Sequence, residues 1–258
     1  MNETRRHLLT SLSVAGVGAL LIGCRTTPSG SSGPGGSSGA TNDEGREPAP
    51  GEAVPEEVTA VEDLMREHGI LRRALLVYQE SVVRLRQDAA SVPAEALEKT
   101  AQLFRVFGED YHEKRLEEAY ILPLIKKVQG PVAMYADILA TQHTRGREIT
   151  DYLLSVTKGD RIATNQVNDV TKALESFVRM YEHHAAVEDT VVFPAWKKLT
   201  GEQEYNELGE KFEEIETEIF GEDGFESALR RMEEIESSLG LTNLEMFTAP
   251  ELPKLFAL

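Results

Sequence analysis

Four of the six histidines, His68, His112, His143 and His184, are spaced so that each falls on its own helix in a run of four. Two of them precede a glutamate by about one turn, in His112-Glu-Lys-Arg-Leu-Glu117 and His184-Ala-Ala-Val-Glu188. Imidazole nitrogen and carboxylate oxygen, brought together from several helices, form the donor set that helical proteins use for transition metals. The phase of each histidine supports convergence. His68 lies four residues after Leu64 and three before Leu71, His143 four after Leu139, and His184 four after Met180 and seven after Phe177. Each therefore shares the apolar face of its helix. At Gly146, three residues beyond His143, the missing side chain leaves room in that face. One inward histidine is most often a satisfied core residue. Four on successive helices, with two carboxylates, cost several kcal/mol to bury unless a cation compensates them.

The elements that must position these groups are helical. Val61, Leu64, Met65, His68, Leu71, Leu75, Val82 and Leu85 follow a three-four spacing over a helix from about Glu57 to Asp88. A second helix spans about Ala94 to Val128, after Pro93, with Leu97, Leu103, Phe104 and Phe107 on one stripe and Pro123 in its last turns. Gly130-Pro131 breaks the chain, and Pro131 opens a third helix to about Thr157. The fourth covers about Asn165 to Leu199 and carries Val170, Leu174, Phe177, Met180, Tyr181, His184 and Val191. No segment alternates with period two, so no sheet is expected. The fold class predicted is all-α: an antiparallel up-down-up-down four-helix bundle over residues 57–199 with a C-terminal helical extension over 200–258. In that extension Glu204 to Phe220 is an acidic helix ended by Gly221. Asp223-Gly224-Phe225-Glu226 reads as a capping box that starts a last helix to about Leu239, and the whole packs on the outside of the bundle.

His184 and Glu188, four apart, stack on one helix face. His112 and Glu117, five apart, diverge by about 140° on an ideal helix. Either a one-residue π-bulge returns both to one face, or Glu113, four before Glu117, takes the ligand's place. The bulge is preferred, because such bulges cluster at functional sites. His183 diverges from His184 by about 100° and is expected to be exposed or merely adjacent to the site. Tyr111 and Tyr181, one and three residues before histidines of the set, are read as packed aromatics with hydroxyls at the rim. The alternative is a hydrogen bond from either to a bound oxygen species.

The ends of the chain speak to its location. Residues 1–23 have the pattern of a signal peptide: a twin-arginine-type Thr4-Arg5-Arg6-His7-Leu8-Leu9, then an apolar run from Leu12 to Ile22 too short for a membrane span. The run closes on Leu21-Ile22-Gly23-Cys24, similar to a lipobox, so Cys24 is the expected lipidation site. It is the only cysteine, which leaves no thiolate ligand and no disulfide for the rest. Residues 24–56, rich in Ser, Gly and Pro, form a lipid-anchored flexible linker. The location that follows is the bacterial cell envelope, lipid-anchored on a periplasmic or extracellular face of the membrane. A formal net charge of −17 argues against nucleic acid as a partner.

Glu67-His68-Gly69-Ile70-Leu71-Arg72-Arg73, His112-Glu-Lys with Glu117-Glu118 and Leu122-Pro123, Gln142-His143, and His184-Ala-Ala-Val-Glu188-Asp189-Thr-Val-Val-Phe193-Pro194 stand in one order. Together they resemble the hemerythrin-like (HHE cation-binding) family over about Val58 to Leu199. The resemblance implies an antiparallel bundle around a non-haem di-iron centre, with two iron ions bridged by two glutamates. It gives the metal-ligand role to His68, His112, Glu117, His143, His184 and Glu188. The second-helix motif of the family usually reads H-x-x-x-E, and here one residue is added. Oxygen-carrying members supply more histidines than these four, so fewer ligands leave open positions for a small diatomic or peroxide. The expected activity is binding, reduction or sensing of O₂, peroxide or nitric oxide, with a redox partner that the residues do not identify. The rival readings are a structural or iron-storing bundle without turnover and a histidine phosphotransfer module, which would leave His68, His112 and His184 unexplained.

Overall fold

The computed structural model describes residues 58–221 and 223–252. The signal-peptide, Cys24 and linker expectations lie outside the described residues, as do the last six positions of the tail. Among the described residues every regular element is helical and none is a strand.

The first rod is α1 (Ala60–Gln87). Thr59 starts it with a reciprocal cap: the Glu62 N–H donates to Thr59 Oγ1 at 3.4 Å, and the Thr59 N–H donates to Glu62 Oε2 at 2.9 Å. Such a box satisfies two of the orphaned amides of the first turn and is worth about 1 kcal/mol. The second rod is continuous but changes pitch: α2 (Ala94–Leu103), a π-helical stretch (Phe104–Ile121) and α3 (Leu122–Lys127). The third rod, α4 (Ala133–Val156), starts after Pro131 rather than at it, because Gly130, with φ of 119°, and Pro131 form the preceding turn. The fourth is α5 (Val167–Val187), a second π-helical stretch (Glu188–Val192) and α6 (Phe193–Thr200).

The rods touch in a ring. α1 packs on α5, α5 on α4, α4 on α2, α3 and the first π stretch, and that stretch on α1. The apolar stripes supply the core, with two exceptions: Met65 and Val191, expected inside, are 40% and 37% exposed. Both lie at the border of their stripe, where a small rotation of the helix decides the side. An aromatic floor lies beneath the histidines, where Phe104 meets Phe177 edge-on at 4.8 Å and both rings meet Tyr181.

The extension consists of α7 (Glu202–Phe220), α8 (Gly224–Leu239) and a short 3-10 turn (Leu244–Phe247). Gly221, with φ of 68°, ends α7 in the left-handed conformation that glycine adopts without strain. Asp223 caps α8 by accepting the Glu226 N–H at 2.9 Å. The extension packs on the rods, not away from them. Phe212 stacks on Trp196 at 5.8 Å, Tyr205 Oη accepts the Val61 N–H at 2.8 Å, and Phe220 meets Tyr111 edge-on at 5.2 Å. Arg73 holds Glu236 of α8 through two hydrogen bonds of 2.8 and 2.6 Å.

Candidate metal centre

The four rods deliver His68, His112, Glu117, His143, His184 and Glu188 to one place, each at most 3% exposed. The histidines meet in two pairs. Nε2 of His68 and Nε2 of His112 are 3.0 Å apart, and Nε2 of His143 and Nε2 of His184 are 3.1 Å apart. Two nitrogens about 2.1 Å from one ion and at right angles around it are about 3.0 Å apart. Glu117 reaches both pairs, Oε1 lying 3.3 Å from His112 Nε2 and Oε2 3.2 Å from His143 Nε2. Glu188 does the same through Oε2, 3.5 Å from His68 Nε2 and 3.1 Å from His184 Nε2. All four carboxylate oxygens are buried without a hydrogen-bond partner. Leaving so many acceptors orphaned costs several kcal/mol, and cations compensate that cost. The residues therefore fit metal cations.

Each imidazole is oriented from behind. Nδ1 of His68 faces Asp189 Oδ1 at 2.7 Å, Nδ1 of His112 faces Glu67 Oε2 at 2.5 Å, Nδ1 of His143 faces Glu118 Oε1 at 2.9 Å, and Nδ1 of His184 faces Gln142 Oε1 at 2.9 Å. A proton on each Nδ1 satisfies those acceptors and leaves the Nε2 lone pair aimed at the centre. Two arginines brace the arrangement, Arg72 on Asp189 and Arg147 on Glu118. The parts repeat between the halves of the chain. Glu67-His68 with Arg72 one turn later corresponds to Gln142-His143 with Arg147, and Glu117-Glu118-Ala-Tyr-Ile-Leu-Pro123 to Glu188-Asp189-Thr-Val-Val-Phe-Pro194.

The wider pitch of the second rod places His112 and Glu117 on one side, as the bulge expectation required. The bulge is more extensive than one residue, since the π pattern runs over 18 residues. A second, unexpected π stretch begins at Glu188. In both, the residue before proline donates its N–H to the carbonyl five residues back, Leu122 to Glu117 and Phe193 to Glu188. Proline lacks an amide and its ring crowds the carbonyl four residues back, so a wider turn before it relieves the rod.

Glu113 does not take a ligand's place. Its carboxylate accepts the Tyr181 hydroxyl at 2.6 Å and Arg147 at 3.1 Å. Glu113, Glu118 and His143 also form a cluster with metal-like spacing, but the Arg147 guanidinium binds both of its carboxylates. His183 is exposed, as its phase predicts. The tyrosines depart from expectation: their hydroxyls are not at the rim. Tyr111 donates to Glu67 at 2.9 Å inside the core, and Tyr181 occupies the space left by Gly146, where a Cβ would lie 2.0 Å from its hydroxyl. Glu67, Gln142, Glu118 and Asp189 were missed as functional residues, although each is the immediate neighbour of a candidate ligand.

The charges of the site balance by sharing protons. Burial opposes charge on His112 and His143, but Glu117 and Glu67 lift His112 well above the imidazole range, and Glu113, Glu117 and Glu118 raise His143 to about 10. Burial, with His143 beside it, lowers His184 to about 4. Glu117 is held well below the carboxylate range despite its burial by His112 and His143, while burial and Glu117 push Glu188 well above it. A divalent cation replaces such protons, so uptake releases them. A cavity with room for one water-sized molecule adjoins His68, His112 and His184, and Leu71, Leu75, Ala185, Glu113 and Tyr181 also line it.

The model of the hemerythrin HHE cation-binding domain matches residues 59–196, the segment that carries all six converging side chains. This chain belongs to the hemerythrin HHE cation-binding domain family. The hemerythrin domain thus comprises the four rods, with α7 and α8 beyond it. The chain is also similar to the uncharacterized protein Rv1995 of Mycobacterium tuberculosis (strain ATCC 25618 / H37Rv). They are 42% identical over 247 residues, 95% of this chain and 90% of the relative. The uncharacterized protein Mb2018 of Mycobacterium bovis matches with the same identity and coverage. That span exceeds the hemerythrin domain, so the likeness includes most of the extension. No solved structure matches this chain.

Proposed function

We propose that this chain is a non-haem di-iron protein that binds, reduces or senses a small diatomic or peroxide. Its rods form an antiparallel up-down-up-down four-helix bundle. His68 and His112 would hold one ion and His143 and His184 the other, with Glu117 and Glu188 within reach of both histidine pairs. The observation that carries this reading is the pairing of Nε2 atoms at 3.0 and 3.1 Å around four orphaned carboxylate oxygens. Nitrogen and oxygen donors without thiolate suit iron, and the family supports that choice.

Redox-active ions in this donor set supply electrons and coordination positions for a small oxidant. The chain's own residues do the rest. Asp189, Glu67, Glu118 and Gln142 fix the imidazole tautomers. Leu71, Leu75 and Ala185 give the ligand cavity its aliphatic lining, and the hydrogen-bonded Tyr181 and Glu113 give it polar groups. A closed, purely structural site would have no reason for a cavity against three of its four histidines.

His184→Ala removes one ligand and leaves Glu188 with His68 as its one remaining histidine neighbour. It is expected to lower bound iron and to reduce the melting temperature of the iron-loaded protein by several degrees, because metal binding stabilises the native state. Iron loading equal to the parent protein would remove His184 from the set. We further propose that Cys24 carries a lipid that anchors the protein to the cell envelope. Cys24→Ala is then expected to move the protein from the membrane to the soluble fraction with its iron content unchanged. Persistence in the membrane fraction would contradict the anchor.

A further inference from the structure

The cavity beside the histidines has one well-exposed side chain in its lining. Of the groups that line it, His68, Leu71, Leu75, Glu113, Tyr181 and His184 are each at most 6% exposed. Arg72 alone has a substantially exposed side chain, at 42%. It lies one turn after His68 on α1 and reaches Asp189 in the π-helical stretch that follows α5. Its guanidinium is ion-paired with Asp189 Oδ2, and the other oxygen of that carboxylate faces His68 Nδ1 at 2.7 Å. The exposed side chain of the lining is therefore fastened to the carboxylate that orients a candidate ligand.

The opposite side of the centre shows what a closed version looks like. Arg147, one turn after His143, corresponds to Arg72 and binds Glu118 as Arg72 binds Asp189. There Gly146 stands where the first side has Leu71, and the Tyr181 hydroxyl fills the space above it. The Arg147 side chain, 24% exposed, closes on Glu113 as well as Glu118. The lining of the cavity includes Arg72 but not Arg147, with Leu71, Leu75 and Ala185 beside it and Glu113 and Tyr181 of the opposite side also reaching it.

We propose that Arg72 is a specificity-determining door: it leaves Asp189 to admit one small uncharged diatomic to the apolar cavity, and it returns to seal the molecule in. This inference rests on the di-iron reading and adds the route and the ligand class. A small space whose lining brings Leu71, Leu75 and Ala185 against the histidines favours a molecule that gives up little hydration on entry. The Arg72–Asp189 pair is partly solvated, so salt screens it and loosens the door.

The test is stopped-flow binding of nitric oxide to the reduced, iron-loaded full chain at 0.05 and 1 M sodium chloride, followed by its absorption change. Association and dissociation are expected to accelerate together in Arg72→Ala, by about fivefold or more, with equilibrium affinity nearly constant. High salt is expected to accelerate the parent protein and Arg72→Lys and to leave Arg72→Ala unchanged. Rates within twofold of the parent in Arg72→Ala, with full iron, would overturn the door. So would loss of iron in both variants, which would assign Arg72 to bracing Asp189 instead. A parent protein that holds iron but whose spectrum ignores nitric oxide would contradict the ligand-binding reading and the door with it. A parent protein without iron would contradict the metal centre itself.

Discussion

The six candidate ligands carry the function, but the residues behind them carry the geometry. Each histidine was legible from its phase on an apolar stripe. The acceptors behind them were not, because a charged residue beside a histidine has the same appearance whether it points to solvent or across to another helix. Glu118 and Asp189 illustrate this: each follows a candidate ligand glutamate in sequence, yet each orients a histidine from a different rod. Comparing the chain's own halves would have exposed them, since the acid–acid–x–x–x–apolar–proline pattern occurs at both Glu117 and Glu188. Glu109 shows the cost of burying a carboxylate nearby without a metal's help. It is fully buried, accepts the Thr150 hydroxyl at 2.5 Å and pairs with Arg105 Nε at 3.1 Å. Burial nevertheless raises it from 4.5 to about 7, with Glu113 adding to the effect and Thr150 and Arg105 opposing it. The folded state thus binds this proton more tightly than the unfolded state. Its stabilising contribution is complete below about pH 4.5 and is lost as pH rises through 7, a change of about 3 kcal/mol by pH 9. Glu109→Gln keeps the amide oxygen for Thr150 and cannot ionise. Denaturant titration is expected to show the variant gaining about 2–3 kcal/mol relative to the parent between pH 5 and pH 9. An equal difference at both pH values would show that Glu109 ionisation is not coupled to folding.

At the scale of the elements, the rods were legible and their pitch was only partly so. The three-four stripes located α1, the second rod, α4 and the fourth rod, because an apolar face must recur once per turn to reach a common core. The change of stripe phase between His112 and Glu117 exposed one π-helical widening. The second remained hidden, because His184 and Glu188 sit at ordinary α spacing and the widening begins only at Glu188. Caps set by a single side chain, such as Thr59 with Glu62, fell within a polar stretch that the apolar stripe did not resolve. The π stretch absorbs the extra residue that separates His112 from Glu117. Deleting Lys114, which is exposed, restores a four-residue spacing that a plain α-helix places on one face. That deletion is expected to keep the circular dichroism and the iron content of the parent. Deleting exposed Arg145 in α4 has no widened turn to absorb it, and it rotates everything beyond by about 100°. Iron is expected to be lost there. Loss of iron in both deletions would mean that the widened pitch is not what brings His112 and Glu117 together.

For the whole molecule, the extension is part of the structure that holds the site. The sequence located α7 and α8 but did not reveal what they cover, because their apolar residues could face either the rods or a partner. Phe220 covers Tyr111, whose hydroxyl holds Glu67 behind His112, and Phe212 and Tyr205 cover Trp196 just beyond Pro194. Burial of an aromatic or large aliphatic side chain is worth about 1.5–3 kcal/mol each, so these helices reinforce both π-helical rods from outside. The chain's net charge is −17, and the centre of the described scaffold concentrates buried imidazoles and the carboxylates of Glu117 and Glu188. The most direct test of that centre is iron per chain, measured on purified full-length protein beside Glu117→Ala, which removes the carboxylate shared by both histidine pairs. About two irons per chain in the parent, with most of both lost in the variant, is the expected result. One iron per chain in the parent, or two retained without Glu117, would contradict a bridged pair of ions.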